Sequence, residues 1–328
     1  MFLSRKTTGI SKTFYNSNPA YRPPAYRKIF RFILGQFYRM SLGLNKNNEI
    51  LSLPETPYPQ KYAIKTAPNN NQNQATWIGH STLLCLQADV YYITDPIFSQ
   101  RASPFSFIGP RRYSPPGLSI DDLPKISFVL ISHNHYDHLD LASVKKIYNK
   151  HRPVFLVPEG LSGWFESHGI DNSVELPWWS VFRVRGLKIT SVPAQHFSGR
   201  SFWNRNSSHW CGWVVSGTSN FYYSGDTGYF DGFREIGLKL GPMDLAALPI
   251  GSYCPQWMMK REHLNPEEAL DVFEEVYGSK FLAMHWGTFN LTYEPYNEPV
   301  ERLKTEAHAR GYNLDKINIL KVGQTISW

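Results

Sequence analysis

The sequence predicts an α/β protein in which two sheets are covered by outer helices, and three observations carry that prediction. From Ala75 onward, short runs of β-branched and aromatic residues alternate with turn signals; these runs outnumber the helical segments; and the helices fall between strand groups. One doubly wound sheet would instead set a helix after each strand. Composition agrees: 42% of the 328 residues are hydrophobic and the net charge is +7, which excludes a disordered tail, a collagen-like repeat and a heptad rod.

In chain order, strands are expected at 75–78, 83–86 and 90–94, then at 127–131 and 154–157. A second set follows at 187–192, 212–215, 220–223, 245–249, 280–285 and 317–321. Two helices carry start signals. Asn265-Pro266-Glu267-Glu268 supplies an N-cap, a Pro at N1 and a Glu at N3, opening 266–277. Asn297-Glu298-Pro299 opens 300–310, which Gly311 can end.

Residues 1–74 differ in character from the rest. They comprise a Pro-broken stretch, an apolar-basic segment at 25–44 and a polar linker ending in PNNNQNQ. Arg27, Arg31 and Arg39 recur at multiples of four and align on one helical face, with Ile29, Phe30, Ile33, Leu34 and Phe37 on the remainder. Such a helix suits a lipid interface or the surface of the main domain. The start, MFLSRKTTGISK, lacks a signal-peptide core, and no apolar run nears the roughly 18 residues of a membrane span. Cys85, Cys211 and Cys254 are too few and too scattered for a disulfide framework or a CxxC zinc site, which fits a reducing, cytoplasmic setting.

The chemistry concentrates in Ser132-His133-Asn134-His135-Tyr136-Asp137-His138-Leu139-Asp140, directly after an apolar strand. Three histidines and an aspartate in so short a stretch gather neutral nitrogens and a carboxylate into one small volume, the donor set borderline divalent metals such as zinc prefer. In extended chain His133 and His135 point the same way, and the turn that follows can aim Asp137 and His138 a few ångströms further on. The pattern suits two adjacent ions. His196, Asp226 and His285 repeat the logic, each standing just after an apolar strand in VPAQH, FYYSGDTG and FLAMHWG. If these sites converge, the stretch from 133 to 285 is one domain.

Other residues carry two readings each. Asp95 either supports a ligand histidine or is turn chemistry before a proline. His80 is a rim residue or a packed one, and Asp140 a helix cap or a partner of the site. Trp178, Trp179, Phe197, Trp203, Tyr253 and Trp257 line an acyl-chain groove or fill the core.

The HxHxDH pattern at 133–138, followed in order by His196, Asp226 and His285, resembles the ligand set of the metallo-β-lactamase superfamily in its binuclear hydrolase form. WIGHST (77–82), TDPIFSQRASP (94–104), GDTGY (225–229), LGPMDLAALPIGSY (240–253), HLNPEEAL (263–270) and MHWGTF (284–289) are similar to the N-acylphosphatidylethanolamine-hydrolysing phospholipase D family. The resemblance implies a four-layer αββα metallo-β-lactamase sandwich over 75–328, with 1–74 as an N-terminal extension. It implies two Zn2+ ions, one on His133, His135 and His196, the other on Asp137, His138 and His285, with Asp226 bridging. Asp137 and His263 would be catalytic, a metal-bridging hydroxide the nucleophile, and His263 would meet the substrate phosphate beside a helix N-terminus.

The implied reaction cleaves N-acylphosphatidylethanolamine-like phospholipids to phosphatidate and N-acylethanolamine at a membrane surface, with a homodimer and no nucleic-acid partner. Two alternatives remain: a soluble metal-dependent hydrolase of another phosphate ester or a lactone, and a metal-containing lipid-binding module without turnover. The chain departs from the family at Glu262, where a neutral amide is expected, and at His209-Trp210-Cys211-Gly212-Trp213. Both departures touch the substrate rim.

Overall fold

The computed structural model describes residues 12–23, 27, 31, 34, 35, 72–201 and 203–328. Its strands are β1 (Gln74–Gly79), β2 (Thr82–Gln87), β3 (Val90–Thr94), β4 (Ile126–Leu130), β5 (Val154–Val157), β6 (Ser173–Glu175) and β7 (Val181–Val184). There follow β8 (Leu187–Val192), β9 (Gly212–Ser216), β10 (Asn220–Tyr223), β11 (Met243–Pro249), β12 (Gly278–Met284), β13 (Ile317–Asn318) and β14 (Thr325–Ser327). The helices are α1 (Leu141–His151), α2 (Ser162–Ser167), α3 (Gly232–Leu240), α4 (Gln256–Met259), α5 (Pro266–Glu275) and α6 (Glu298–Ala309).

Two sheets result, ordered β14-β1-β2-β3-β4-β5-β6 and β13-β12-β11-β10-β9-β8-β7. In each, an antiparallel set leads into a parallel one, at β3–β4 and at β10–β11. Alternate side chains of a strand face opposite ways, so every strand buried on both faces contributes to two cores. Trp77, Leu83, Tyr92 and Phe128 of the first sheet meet Ile189, Trp213, Phe221 and Leu245 of the second in the layer between them. Ile93, Val129 and Phe155 pack outward on Val144 and Ile147 of α1 and Phe165 of α2. Val214, Tyr222 and Phe281 pack outward on Phe233 of α3, Leu270 and Phe273 of α5, and Leu303 of α6. Helix, sheet, sheet, helix is the four-layer sandwich expected.

Asn265 and Glu268 form the capping box that opens α5, each side chain bonding the other's backbone N–H at 2.8 and 3.2 Å. The second expected helix starts two residues early, at Glu298, with Pro299 in the first turn, where no intrahelical donor is required. Strands β6, β7 and β14 and helices α1, α2, α3 and α4 were not expected. The three strands are short and only partly buried, so they carry little apolar signal. The strand expected at 317–321 shrinks to β13, pairing only with Phe281 and Leu282 of β12.

Residues 12–23 lie against the domain as a strap. Phe14 is buried with Ala194 and Trp210, and its N–H donates to the Asn206 carbonyl at 2.9 Å. Most of the 25–44 segment lies outside the described residues. Of those described, Arg27, Arg31 and Leu34 are helical and exposed, while Gly35 sits so close to Tyr293 that an added Cβ would come within 2.6 Å of its hydroxyl.

Candidate metal centre

The C-terminal ends of β1, β3, β4, β8, β10 and β12 share one rim, because these strands run in a common direction within their sheets. His80, Asp95, His133–His138, His196, Asp226 and His285 follow those six ends. Three of them turn back sharply: His80, Asp95 and His285 hold φ of 56°, 31° and 58°, a left-handed conformation that costs an L-residue on the order of 1 kcal/mol. The loop carrying Asp226 reaches the cluster through Gly225, φ 62°, where a Cβ would stand 2.6 Å from Ser132 Cβ. Only glycine permits that approach.

The seven side chains singled out above come together. His133 Nε2 and His196 Nε2 lie 2.8 and 3.3 Å from His135 Nδ1, forming an all-imidazole group. Asp137, His138 and His285 form a second group, joined by His80, whose Nε2 is 2.9 Å from Asp137 Oδ2. Asp226 Oδ2 stands between the two: 3.1 Å from both His138 Nε2 and His285 Nε2, 3.9 Å from His196 Nε2 and 4.0 Å from His133 Nε2. His263 Nδ1 is 3.8 Å from the same oxygen.

The two groups differ electrically. Burial, then the neighbouring imidazoles, hold His133 well below the ordinary histidine range, and burial takes His135 down to about 4. Neutral imidazoles bind a metal without first releasing a proton. Burial alone would raise the Asp226 carboxyl, but His138 and His285 hold it well below the usual carboxylate range. Against its own burial, His138 is pushed up by Asp226 and Asp137. A histidine–carboxylate knot of this kind is what a divalent cation would replace.

Outer contacts orient the rings. Asp95 is fully buried and its carboxylate receives His138 Nδ1 at 2.7 Å, Tyr223 Oη at 2.5 Å, Ser132 N at 2.7 Å and Ser132 Oγ. Asp95 therefore supports a ring of the cluster. Ser132 Oγ also meets His133 Nδ1 at 2.9 Å. His196 Nδ1 lies 2.9 Å from the Glu262 carbonyl, and the strap's Asn16 takes the His196 N–H and donates to its carbonyl at 3.0 and 2.9 Å. Tyr21 of the same strap donates to Glu262 Oε1 at 2.5 Å. Asp140 instead caps α1, accepting from Ser143 N.

The donor set fits metal. His138 Nε2 and His285 Nε2 approach Asp226 without the alignment of a hydrogen bond, and Asp226 Oδ1 is buried with no partner. Burying such atoms is unfavourable unless something else meets them. A pocket of about 260 Å³ opens in front, lined by His135, Asp137, Asp226 and His263 on one side and by Phe197, Met258, Met259 and Leu291 on another. Of the aromatics considered for an acyl groove, Phe197 alone lines it. Trp178 and Trp179 pack on the cores, Tyr253 is buried and bonds Glu298, and Trp203 and Trp257 are exposed. Sequence reasoning left His80 undecided, although it obeys the same strand-end rule as the others, and it missed Asn16 and Tyr21, which no local signal marks.

A β-lactamase superfamily domain model matches residues 91–286. The chain is 45% identical over 249 residues to N-acyl-phosphatidylethanolamine-hydrolyzing phospholipase D 1 of Caenorhabditis elegans, covering 72% of this chain and 70% of that protein. It is 36% identical over 275 residues to the mitochondrial N-acyl-phosphatidylethanolamine-hydrolyzing phospholipase D of Saccharomyces cerevisiae, covering 80% and 58%. Among solved structures, an isothiocyanate hydrolase from Delia radicum gut bacteria matches with a TM-score of 0.64 at 19% identity, over 78% of this chain and 99% of that one, a likeness of fold.

Proposed function

The chain belongs to the metallo-β-lactamase superfamily and, within it, to the N-acyl-phosphatidylethanolamine-hydrolysing phospholipase D family, and from that premise we propose that this metal-dependent hydrolase is a two-zinc phosphodiesterase. Its substrates are N-acylphosphatidylethanolamine-like phospholipids and its products phosphatidate and N-acylethanolamine. His133, His135 and His196 hold one ion, Asp137, His138 and His285 the other, and Asp226 lies between. The observation that carries this reading is the single oxygen Asp226 Oδ2, within 4.0 Å of nitrogens from both imidazole groups.

Two divalent ions supply Lewis acidity toward water and toward phosphoryl oxygens. The protein does the rest. Water adds to phosphorus, the P–O bond to the ethanolamine side breaks, and the departing oxygen takes a proton. His263, on the pocket wall and pushed down to about 4 by burial, is neutral and offers one N–H to a phosphate oxygen. His80 holds Asp137 in place. Phe197, Met258, Met259 and Leu291 give the substrate an apolar wall that excludes water. We place the reaction at a membrane surface; among the described residues no helix is long and apolar enough to cross a membrane.

The test is turnover of N-acylphosphatidylethanolamine in mixed micelles by the purified chain, before and after chelation and again after zinc is restored, with elemental analysis alongside. Two zinc ions per chain, and activity that leaves and returns with them, are expected. Undiminished turnover after full metal removal would discard the mechanism, and turnover confined to a soluble ester or lactone would discard the lipid substrate.

A further inference from the structure

Among the described residues lining the pocket, Arg205 is the only Lys or Arg. It stands on a loop that its neighbours close on both sides. Asn204 Oδ1 accepts from Arg200 N at 2.9 Å and Ser201 N at 2.8 Å; Asn206 Oδ1 accepts from Ser198 N at 3.2 Å, and Asn206 N donates to the Ser198 carbonyl at 2.8 Å. The strap adds its bond from Phe14 N to the Asn206 carbonyl. Over this loop the guanidinium lies 4.3 Å from the ring centroid of Phe197, the residue next to His196.

One guanidinium nitrogen, Nη2, is buried and has no hydrogen-bond partner. A buried donor left unmatched is unfavourable, and at a pocket wall a ligand is what meets it. Asp137 and Asp226 face the histidines; Glu262 receives Tyr21 at Oε1 and lies near enough to Arg205 to feel its charge, but its Oε2 makes no hydrogen bond and Nη2 stays unmatched. The ligand that suits a planar cation beside a metal cluster is an oxyanion with more than one oxygen to share.

We propose that Arg205 binds the phosphate of the substrate, with Nη2 donating to a non-bridging oxygen, and that it thereby favours phosphodiesters over uncharged esters and lactones. This rests on the phosphodiesterase reading above. Because the loop is already closed and the guanidinium already seated on Phe197, little freedom is lost when the anion arrives.

The test uses the full-length, zinc-loaded protein and inorganic phosphate as probe, titrated by calorimetry into wild type, R205Q and R205K, with KM and kcat for N-acylphosphatidylethanolamine measured in parallel. R205Q is expected to weaken phosphate binding about tenfold or more and to raise KM similarly, with zinc content unchanged; R205K, keeping charge without the fork, falls between. Wild-type phosphate affinity in R205Q overturns the proposal. Should R205Q not fold, unchanged affinity in R205K overturns the donation by Nη2. A wild type that binds phosphate through Arg205 but leaves the phospholipid intact sinks the substrate reading and spares the assignment of Arg205; normal lipid turnover with unaltered phosphate affinity and KM in R205Q does the reverse.

Discussion

Two rings of the cluster, His138 and His196, are held by different parts of the molecule. His138 is anchored from inside the sandwich, by an Asp95 carboxylate that also gathers Tyr223 and Ser132 and has no exposure to solvent. His196 is anchored from the rim, by the Glu262 carbonyl and by Asn16, which arrives from 180 residues earlier in the chain. The difference teaches that the anchor of His138 belongs to the core of the sandwich, whereas that of His196 is shared with a strap lying outside the two sheets.

Substitutions can separate the two. The largest effect is expected from Asp226→Asn, which weakens the residue shared by both groups of the cluster; kcat/KM should fall about 10³-fold or more, together with bound metal. Next comes Asp95→Asn. Losing the charge that orients His138 should reduce metal affinity about 10–100-fold, and the metal-free protein should also melt at a lower temperature because buried donors lose their acceptor. Asn16→Ala should weaken metal binding about tenfold, read by competition with a chelator, while shifting the melting temperature of the metal-free protein much less. Equal melting shifts for the Asp95 and Asn16 variants would erase the distinction. The smallest effect belongs to His80→Gln, which removes the imidazole meeting Asp137 at 2.9 Å and should lower metal affinity by less than about tenfold. A larger loss than for Asp95→Asn would mean that His80 is itself a ligand.

The parts of the fold that were legible in advance are those with strong local signals. Strands such as β3 and β5 have the expected bounds because both are short apolar runs between turn residues. The capping box of α5 was legible because its partners are three residues apart. Strands β6, β7 and β14 were not, since an edge strand is defined by the neighbour it pairs with more than by its own composition. Helix α1 has buried residues at Val144, Ile147 and Tyr148, but lysines and polar residues dilute the stripe. The tryptophan pair at 178–179 shows the limit from the other side: apolar area left a groove and a core equally open, and only packing sets each half-buried ring against its own core.

By itself, then, the amino-acid order determined which side chains could meet a metal and that they would stand at strand ends, because both follow from residue type and from a periodicity spanning a few positions. Tertiary structure decided the remainder: that Asp226 falls between two groups, that Asp95 faces a ring while Asp140 faces a helix, that Asn16 reaches His196, and that Arg205 turns toward the pocket. Each is a contact between segments far apart in the chain, brought together only when the two apolar sheet faces close on one another, and no local pattern encodes such a meeting.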